Sequence, residues 1–302
     1  MKHFLKISDL SSEEVLSLIN LGIKLKEGQK KGKSQTQMLN GKVLGMIFSK
    51  SSTRTRVSFE VGMTQLGGTS IFLNQNDIQL NRGESIADTA RVLSRYLDII
   101  MIRTFKQSDV EELAKNATIP VINGLTDYCH PTQALADLMT VKENFNDFKN
   151  VKICYCGDGN NVANSLIVAS LKCGCKISLA CPKGYYPNAE VLEWAKQNGG
   201  VEIFNDPKEA VKGAQVVYTD VWASMGQEAE SEARKKIFMD YQVNESLMAL
   251  ADKNAIVLHC LPAHKEEEIS HETFEKHQKV IFDQSENRMH MHKAIMVELL
   301  DA

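Results

Sequence analysis

Ser52-Thr53-Arg54-Thr55-Arg56 places three hydroxyls and two guanidiniums in five consecutive residues. It follows the strand-like run 42–48 and precedes an amphipathic run carrying Phe59, Met63 and Leu66. Such a loop presents hydroxyls, guanidiniums and backbone N–H groups at a helix N-terminus, where the positive end of the helix dipole favours an anion. Arginine adds a planar fork that holds phosphate or carboxylate through two hydrogen bonds. The blander alternative is a solvated helix start with two surface arginines. G-x-x-x-x-G-K-[ST] is absent, and the stretch is not a glycine-rich dinucleotide turn, so the implied ligand is a phosphate held in another way.

Further residues of the right chemistry fall at the carboxyl ends of predicted strands. Arg103 ends the apolar run 98–103, where an arginine calls for an anionic partner, either a ligand or a neighbouring carboxylate. His130-Pro131-Thr132-Gln133 opens a helix, and His130 with Gln133 one turn later can each donate to a carbonyl oxygen. Asp220 follows the strand 215–219 and suits a cationic amine, with Ser224-Met225-Gly226 after it as a turn able to move. His259-Cys260-Leu261-Pro262 ends the last strand; Cys260 there is a nucleophile, a proton partner, a steric contact or a buried core thiol. Arg288, near the start of a terminal helix, is placed to reach the same anion as Arg54 and Arg103.

Gly157-Asp158-Gly159-Asn160-Asn161 has the look of a nucleotide-binding turn, but its third glycine position is Val162 and the next strand ends in Cys181-Pro182 without the ribose-binding acid. Asn161 reads instead as a cleft-facing or helix-capping amide. The Cys154/Cys156 pair points both thiols to one face of a strand, as core residues do, and lacks zinc-ligand spacing; His290 and His292 fall on different faces of a helix. No metal is expected.

The elements that must hold these groups alternate strand and helix. Ser11 and Glu14 are spaced as a capping box for a first helix over 9–31. Strands over 43–48, 70–73, 98–103 and 119–122 then alternate with helices over 57–66, 84–96, one capped by Ser108 and Glu111, and 130–145. After a hinge at 146–150 the alternation restarts, with strands over 151–156, 176–181, 201–204, 215–219 and 255–260, and a last helix over 286–300. The pattern predicts two doubly wound α/β domains of parallel sheets with an active-site cleft between them. The expected division is 1–147, rejoined by the C-terminal helix at about 284–302, and 148–283. With 302 residues and a net charge of −3, nothing suggests a dominant nucleic-acid surface; no apolar run is long enough for a bilayer span, and the residues ahead of the first helix are not expected to act as a signal or transit segment. Seven cysteines, an odd number mostly in strand-like runs, fit a reduced cytoplasmic setting.

Taken together, Ser52-Thr53-Arg54-Thr55-Arg56, Met101-Ile102-Arg103-Thr104 and His130-Pro131-Thr132-Gln133 resemble the carbamoyl-phosphate motifs of the aspartate/ornithine transcarbamoylase family. Asp220-Val-Trp-Ala-Ser224-Met225-Gly226, His259-Cys260-Leu261-Pro262 and Glu286-Asn287-Arg288 resemble its ornithine branch, and the likeness runs from the first helix to the last. The one loose match is Gly159, where the branch usually carries a bulkier residue. The resemblance implies transfer of a carbamoyl group from carbamoyl phosphate to the δ-amine of L-ornithine, giving L-citrulline and phosphate, in arginine biosynthesis, by a homotrimer without a cofactor. Transfer to another amine, or work in arginine breakdown, are the alternatives. It also implies that Ser52, Thr53, Arg54, Thr55, Arg103, His130, Pro131, Thr132, Gln133 and Arg288 bind carbamoyl phosphate, joined by Cys260 and Leu261 and by Gln79 of a neighbouring subunit. Asn161, Asp220, Ser224 and Met225 correspond to ornithine-binding positions, and Arg54, Arg103, His130, Asp220 and Cys260 to catalytic ones.

Overall fold

Each parallel strand carries its chemistry at its carboxyl end, so the order of strands in the sheets decides which residues meet. The computed structural model describes residues 1–224 and 228–300. Its backbone forms two compact units, Met1–Met139 with Glu286–Ala302, and Thr140–Ser285.

The first unit runs α1 (Ser12–Lys30), β1 (Val43–Phe48), α2 (Thr53–Gln65), β2 (Thr69–Asn74), α3 (Ile86–Leu93), β3 (Ile99–Arg103), α4 (Gln107–Asn116), β4 (Val121–Leu125) and the first part of α5 (Pro131–Phe145). Its strands are ordered β2-β1-β3-β4, all parallel. Every residue of β3 and β4 is buried, as helices on both faces of a parallel sheet require. The order reverses direction between β1 and β3, which is where such sheets receive ligands. Phe48 and Arg103 are register partners across that reversal, so the loop after β1 and the end of β3 emerge side by side.

The second unit runs β5 (Lys152–Cys156), α6 (Asn161–Lys172), β6 (Lys176–Ala180), α7 (Ala189–Gln197), β7 (Glu202–Phe204), α8 (Pro207–Val211), β8 (Val216–Thr219), α9 (Ser231–Phe238), α10 (Glu245–Met248), β9 (Ile256–His259) and the start of α11 (His271–Leu300). The order is β7-β6-β5-β8-β9, again all parallel, with the reversal between β5 and β8. Cys156 pairs with Thr219, and Thr219 with His259, so three strand ends lie in a row.

Local sequence explains most boundaries. Ser11 and Glu14 form the reciprocal capping box expected of them. Two readings are corrected. Ser108 does not cap α4: that helix begins at Gln107 after Lys106, which makes no side-chain cap. The last helix begins at His271, so Arg288 lies well inside it, not near its start. Ser270 supplies the missed start signal, its hydroxyl accepting from Thr273 N–H at 3.2 Å.

The C-terminal part of α11 packs on α1 and α2. A Cβ at Gly22 would come 2.6 Å from Met291 Sδ, so only glycine permits that approach without a shift. His292 stacks on Phe59 at 3.8 Å, and its Nδ1 lies 3.0 Å from Ser58 Oγ. Lys293 is fully buried and bonds two neutral amides, Gln29 Oε1 and Gln65 Oε1, each at 3.0 Å. No helix among the described residues is long and apolar enough to cross a membrane.

Burial pushes the Lys293 ammonium down to about 8 from 10.5. The unfolded chain then holds that proton over a window where the folded chain has released it, so this lysine makes stability rise with pH between those values. The urea midpoint of Lys293→Met is expected to lack that rise between pH 8 and 10; parallel curves for variant and wild type would show that Lys293 stays charged.

Candidate functional site

In the first unit the loop after β1 leads into α2, where Ser52 is the N-cap and its side chain accepts from Thr55 N–H at 3.2 Å. Thr55 is fully buried, and its hydroxyl oxygen is the meeting point of the cluster. It accepts from Ser52 Oγ at 3.1 Å, from Arg288 Nη2 at 2.7 Å and from Arg103 Nη1 at 3.5 Å. Two guanidiniums from β3 and α11 therefore converge on one neutral oxygen in the first turn of a helix, the arrangement that suits an anion of charge near −2. Arg54 is half-buried, and its Nε is buried without a hydrogen-bond partner.

His130 is buried just ahead of α5. Its pKa is pushed well below the usual 6.5 by burial first, then by the charges of Arg288, Arg103 and Arg54. A neutral imidazole in this position donates one hydrogen bond without adding another charge. Gln133 is buried in the first turn of α5. Its Nε2 is engaged with Asp137 Oδ1 at 2.8 Å, leaving Oε1, buried and without a hydrogen-bond partner, as an acceptor. Thr132 is fully buried with its hydroxyl likewise without a hydrogen-bond partner, and Pro131 is buried at the first position of α5. Thr53 is exposed, as is Gln79, on the 3-10 turn Gln79–Arg82.

Lys50 was not singled out from sequence. It is buried beside the same loop, ion-paired to Asp127 and 4.4 Å over the Phe105 ring. The pair ties the loop after β1 to the segment between β4 and α5 that also carries His130.

In the second unit the three adjacent strand ends deliver one polar cluster. Asp220 is buried, and its carboxylate accepts from Asn160 Nδ2 at 2.8 Å and from the Cys260 thiol at 3.0 Å. Asn160, not Asn161, caps α6, its side-chain oxygen accepting from Val162 N–H at 2.9 Å and Ala163 N–H at 3.2 Å. Sequence reasoning stopped one residue late here, although asparagine before an apolar helix is a good cap signal. Asn161 and Ser224 are part-exposed beside these groups in the chain; Met225 lies outside the described residues.

Behind Cys260, His259 Nδ1 accepts from Leu261 N–H at 2.9 Å, so its Nε2 carries the proton directed at Glu268 Oε1, 3.1 Å away. Both side chains are fully buried. Glu268 Oε1 also accepts from His264 N–H at 2.6 Å, so one carboxylate holds both ends of the segment that presents Cys260 and Leu261. Asp220, His259 and Cys260 have ligand-type atoms within 4.8 Å of one another, as do His264, Glu267 and Glu268. In the first group the hydrogen bonds just described already engage these atoms, and the thiol acts as a donor, which a metal ligand cannot. The Cys154 and Cys156 thiols, 3.7 Å apart, are both fully buried in β5, as expected of core residues.

Profiles of the aspartate/ornithine carbamoyltransferase family match both halves: its carbamoyl-P binding domain over residues 2–143 and its Asp/Orn binding domain over 149–299. The chain belongs to that family. It is 55% identical over 302 residues to the ornithine carbamoyltransferase of Caldicellulosiruptor saccharolyticus, covering 98% of each chain. It is 51% identical over 300 residues to the anabolic ornithine carbamoyltransferase of Pyrococcus furiosus, covering 98% of this chain and 95% of that one. The solved ornithine carbamoyltransferase of Pyrococcus furiosus superposes with a TM-score of 0.96 at 50% identity, over 100% and 97% of the two chains. The anabolic enzyme of Campylobacter jejuni gives 0.92 at 43% identity, over 100% and 99%.

Gly159, the loose match in sequence, has a local cause. A Cβ there would lie 2.3 Å from Pro187 N and 2.4 Å from Tyr186 C, both backbone atoms that cannot swing away. Gly159→Ala is expected to cost about 1–3 kcal/mol by overpacking and to lower the melting temperature by several degrees. An unchanged melting curve would show that the 185–187 segment moves aside readily.

Proposed function

We propose that the protein is an ornithine carbamoyltransferase: carbamoyl phosphate and L-ornithine give L-citrulline and phosphate. The observation that carries this reading is the convergence of Arg103 and Arg288 on Thr55 at the start of α2, beside a neutral His130. The names of the relatives point the same way. In this reading the phosphate is bound by the N–H groups and hydroxyls of Ser52, Thr53 and Thr55 and by Arg54, Arg103 and Arg288. His130 donates to the carbonyl oxygen and, with Arg103, stabilises it as it becomes an oxyanion. Gln133 Oε1 accepts from the carbamoyl NH2.

Ornithine is held through its amino groups by Asp220, with Asn161, Ser224 and Met225 completing its contacts. Its δ-amine must be neutral to attack, since an ammonium has no lone pair to donate. The C–N bond forms, the tetrahedral carbon expels phosphate by breaking its C–O bond, and the amine proton leaves with the departing phosphate. The Cys260 thiol, already bonded to Asp220, orients the amine; no covalent intermediate is required.

The assay is citrulline release from the two substrates across neutral to alkaline pH, with putrescine and an acylated ornithine as competing amines. No citrulline, or faster use of a competitor, overturns the reading. Arg288→Met removes one charge-assisted contact, worth about 1.5–3 kcal/mol, so KM for carbamoyl phosphate is expected to rise about 10- to 100-fold. Unchanged KM would mean that the phosphate lies elsewhere.

The reading includes a homotrimer working in the cytoplasm in arginine biosynthesis. Support for self-association comes from the apolar side chains left exposed beside the anion loop, Val57 and Val61 on α2 and Ile71 on β2, the edge strand of its sheet. Gln79, exposed nearby in the chain, would then reach a neighbouring subunit's phosphate site. Sedimentation should give three times the chain mass of 33.7 kDa. A monomer at micromolar concentration would refute that assembly.

A further inference from the structure

We infer that Arg234 is a positioning residue for the amine substrate, acting on Asp220 through two loops that it clamps together. The inference rests on the reading of the second unit as the ornithine side. Arg234 sits on α9, is 7% exposed and comes from a part of the chain that none of the family motifs includes. Its Nη1 donates at 3.0 Å to Asp158 Oδ2 and at 3.0 Å to the carbonyl oxygen of Trp222. Its Nε donates to Glu230 Oε2 at 3.1 Å, and the guanidinium lies 5.0 Å from the Tyr185 ring centroid.

The two oxygens on Nη1 belong to different strand ends. Asp158 is two residues before Asn160, in the turn after β5; Trp222 is two residues after Asp220, in the segment after β8. One nitrogen therefore sets the spacing of the two segments whose side chains meet in the Asn160–Asp220 hydrogen bond of 2.8 Å. The same helix grips Trp222 a second time, by stacking Phe238 on its indole at 6.0 Å. The charge on Arg234 also matters. Burial raises Asp158 to about 6, an effect Asp220 adds to and Arg234 opposes, so without the guanidinium the buried carboxylate would be protonated or driven toward water. Either change moves the turn that carries Asn160. Lysine is a poor substitute, because the contact uses two nitrogens and the flat face together.

The test is steady-state citrulline formation with each substrate varied in turn, for wild type, Arg234→Met and Arg234→Lys. The expected result for Arg234→Met is an ornithine KM raised about tenfold or more with KM for carbamoyl phosphate within about twofold of wild type, and Arg234→Lys in between. A role in fold stability alone would lower the melting temperature and leave both KM values in place, which overturns the inference. If Arg234→Met does not fold, Asp158→Asn removes the charge of one partner at constant size; its ornithine KM must rise, and a wild-type value overturns the inference. A crystal structure of the folded variant separates this from the substrate assignment. An Asn160–Asp220 contact still near 2.8 Å refutes the clamp whichever amine is used, whereas a wild type that makes no citrulline refutes only the choice of substrate.

Discussion

A charged side chain at the end of a buried strand has to be met by hydrogen-bonding partners, because a charge taken out of water without them costs several kcal/mol. Both polar clusters of this protein are organised by that constraint. Arg103 ends a strand buried along its whole length, and its guanidinium is received by the hydroxyl of Thr55, which receives Arg288 as well. In the second unit the buried carboxylate of Asp220 is received by an amide and a thiol, and that of Asp158 by a guanidinium. The oxygen that the two guanidiniums share in the first cluster is neutral. Burial first, and then the positive charge gathered there, keep His130 uncharged and leave the field available to an anion.

Sheet topology brings the partners within reach. Each sheet reverses its strand order once, and at each reversal two strand ends stand in register, Phe48 beside Arg103 and Cys156 beside Thr219. The residues that follow those ends are the ones with chemistry to do. Helix starts supply the rest, with Ser52 and Asn160 each spending a side-chain oxygen on the backbone of the helix that follows.

These features differ in how plainly the sequence showed them. Alternating apolar runs and turns made the two parallel sheets readable, and strand-end residues of unusual type marked Arg103, His130, Asp220 and Cys260. Family membership was likewise legible in the ordered motifs. What escaped were relations that depend on contacts distant in sequence. Nothing local to Arg234 signals its bonds to Asp158 and Trp222. Glu268 reads as one acid in a polar turn, and only the fold reveals it fully buried against His259. Spacing alone also misled at Ser108, whose place as a cap was pre-empted when α4 began one residue before it.

The close approach at Gly159 has a consequence for how this sequence can vary. Its nitrogen donates to Tyr185 O at 2.9 Å, and its α-carbon faces the backbone of Tyr186 and Pro187 with no room for a methyl group. Position 159 and the course of the 185–187 loop are therefore two coordinates of one evolutionary variable. Tyr185 is also the ring under Arg234, so that variable extends to the face on which the guanidinium rests. Lineages with a larger residue at this point must carry the loop along a different path, and the two changes should be inherited together.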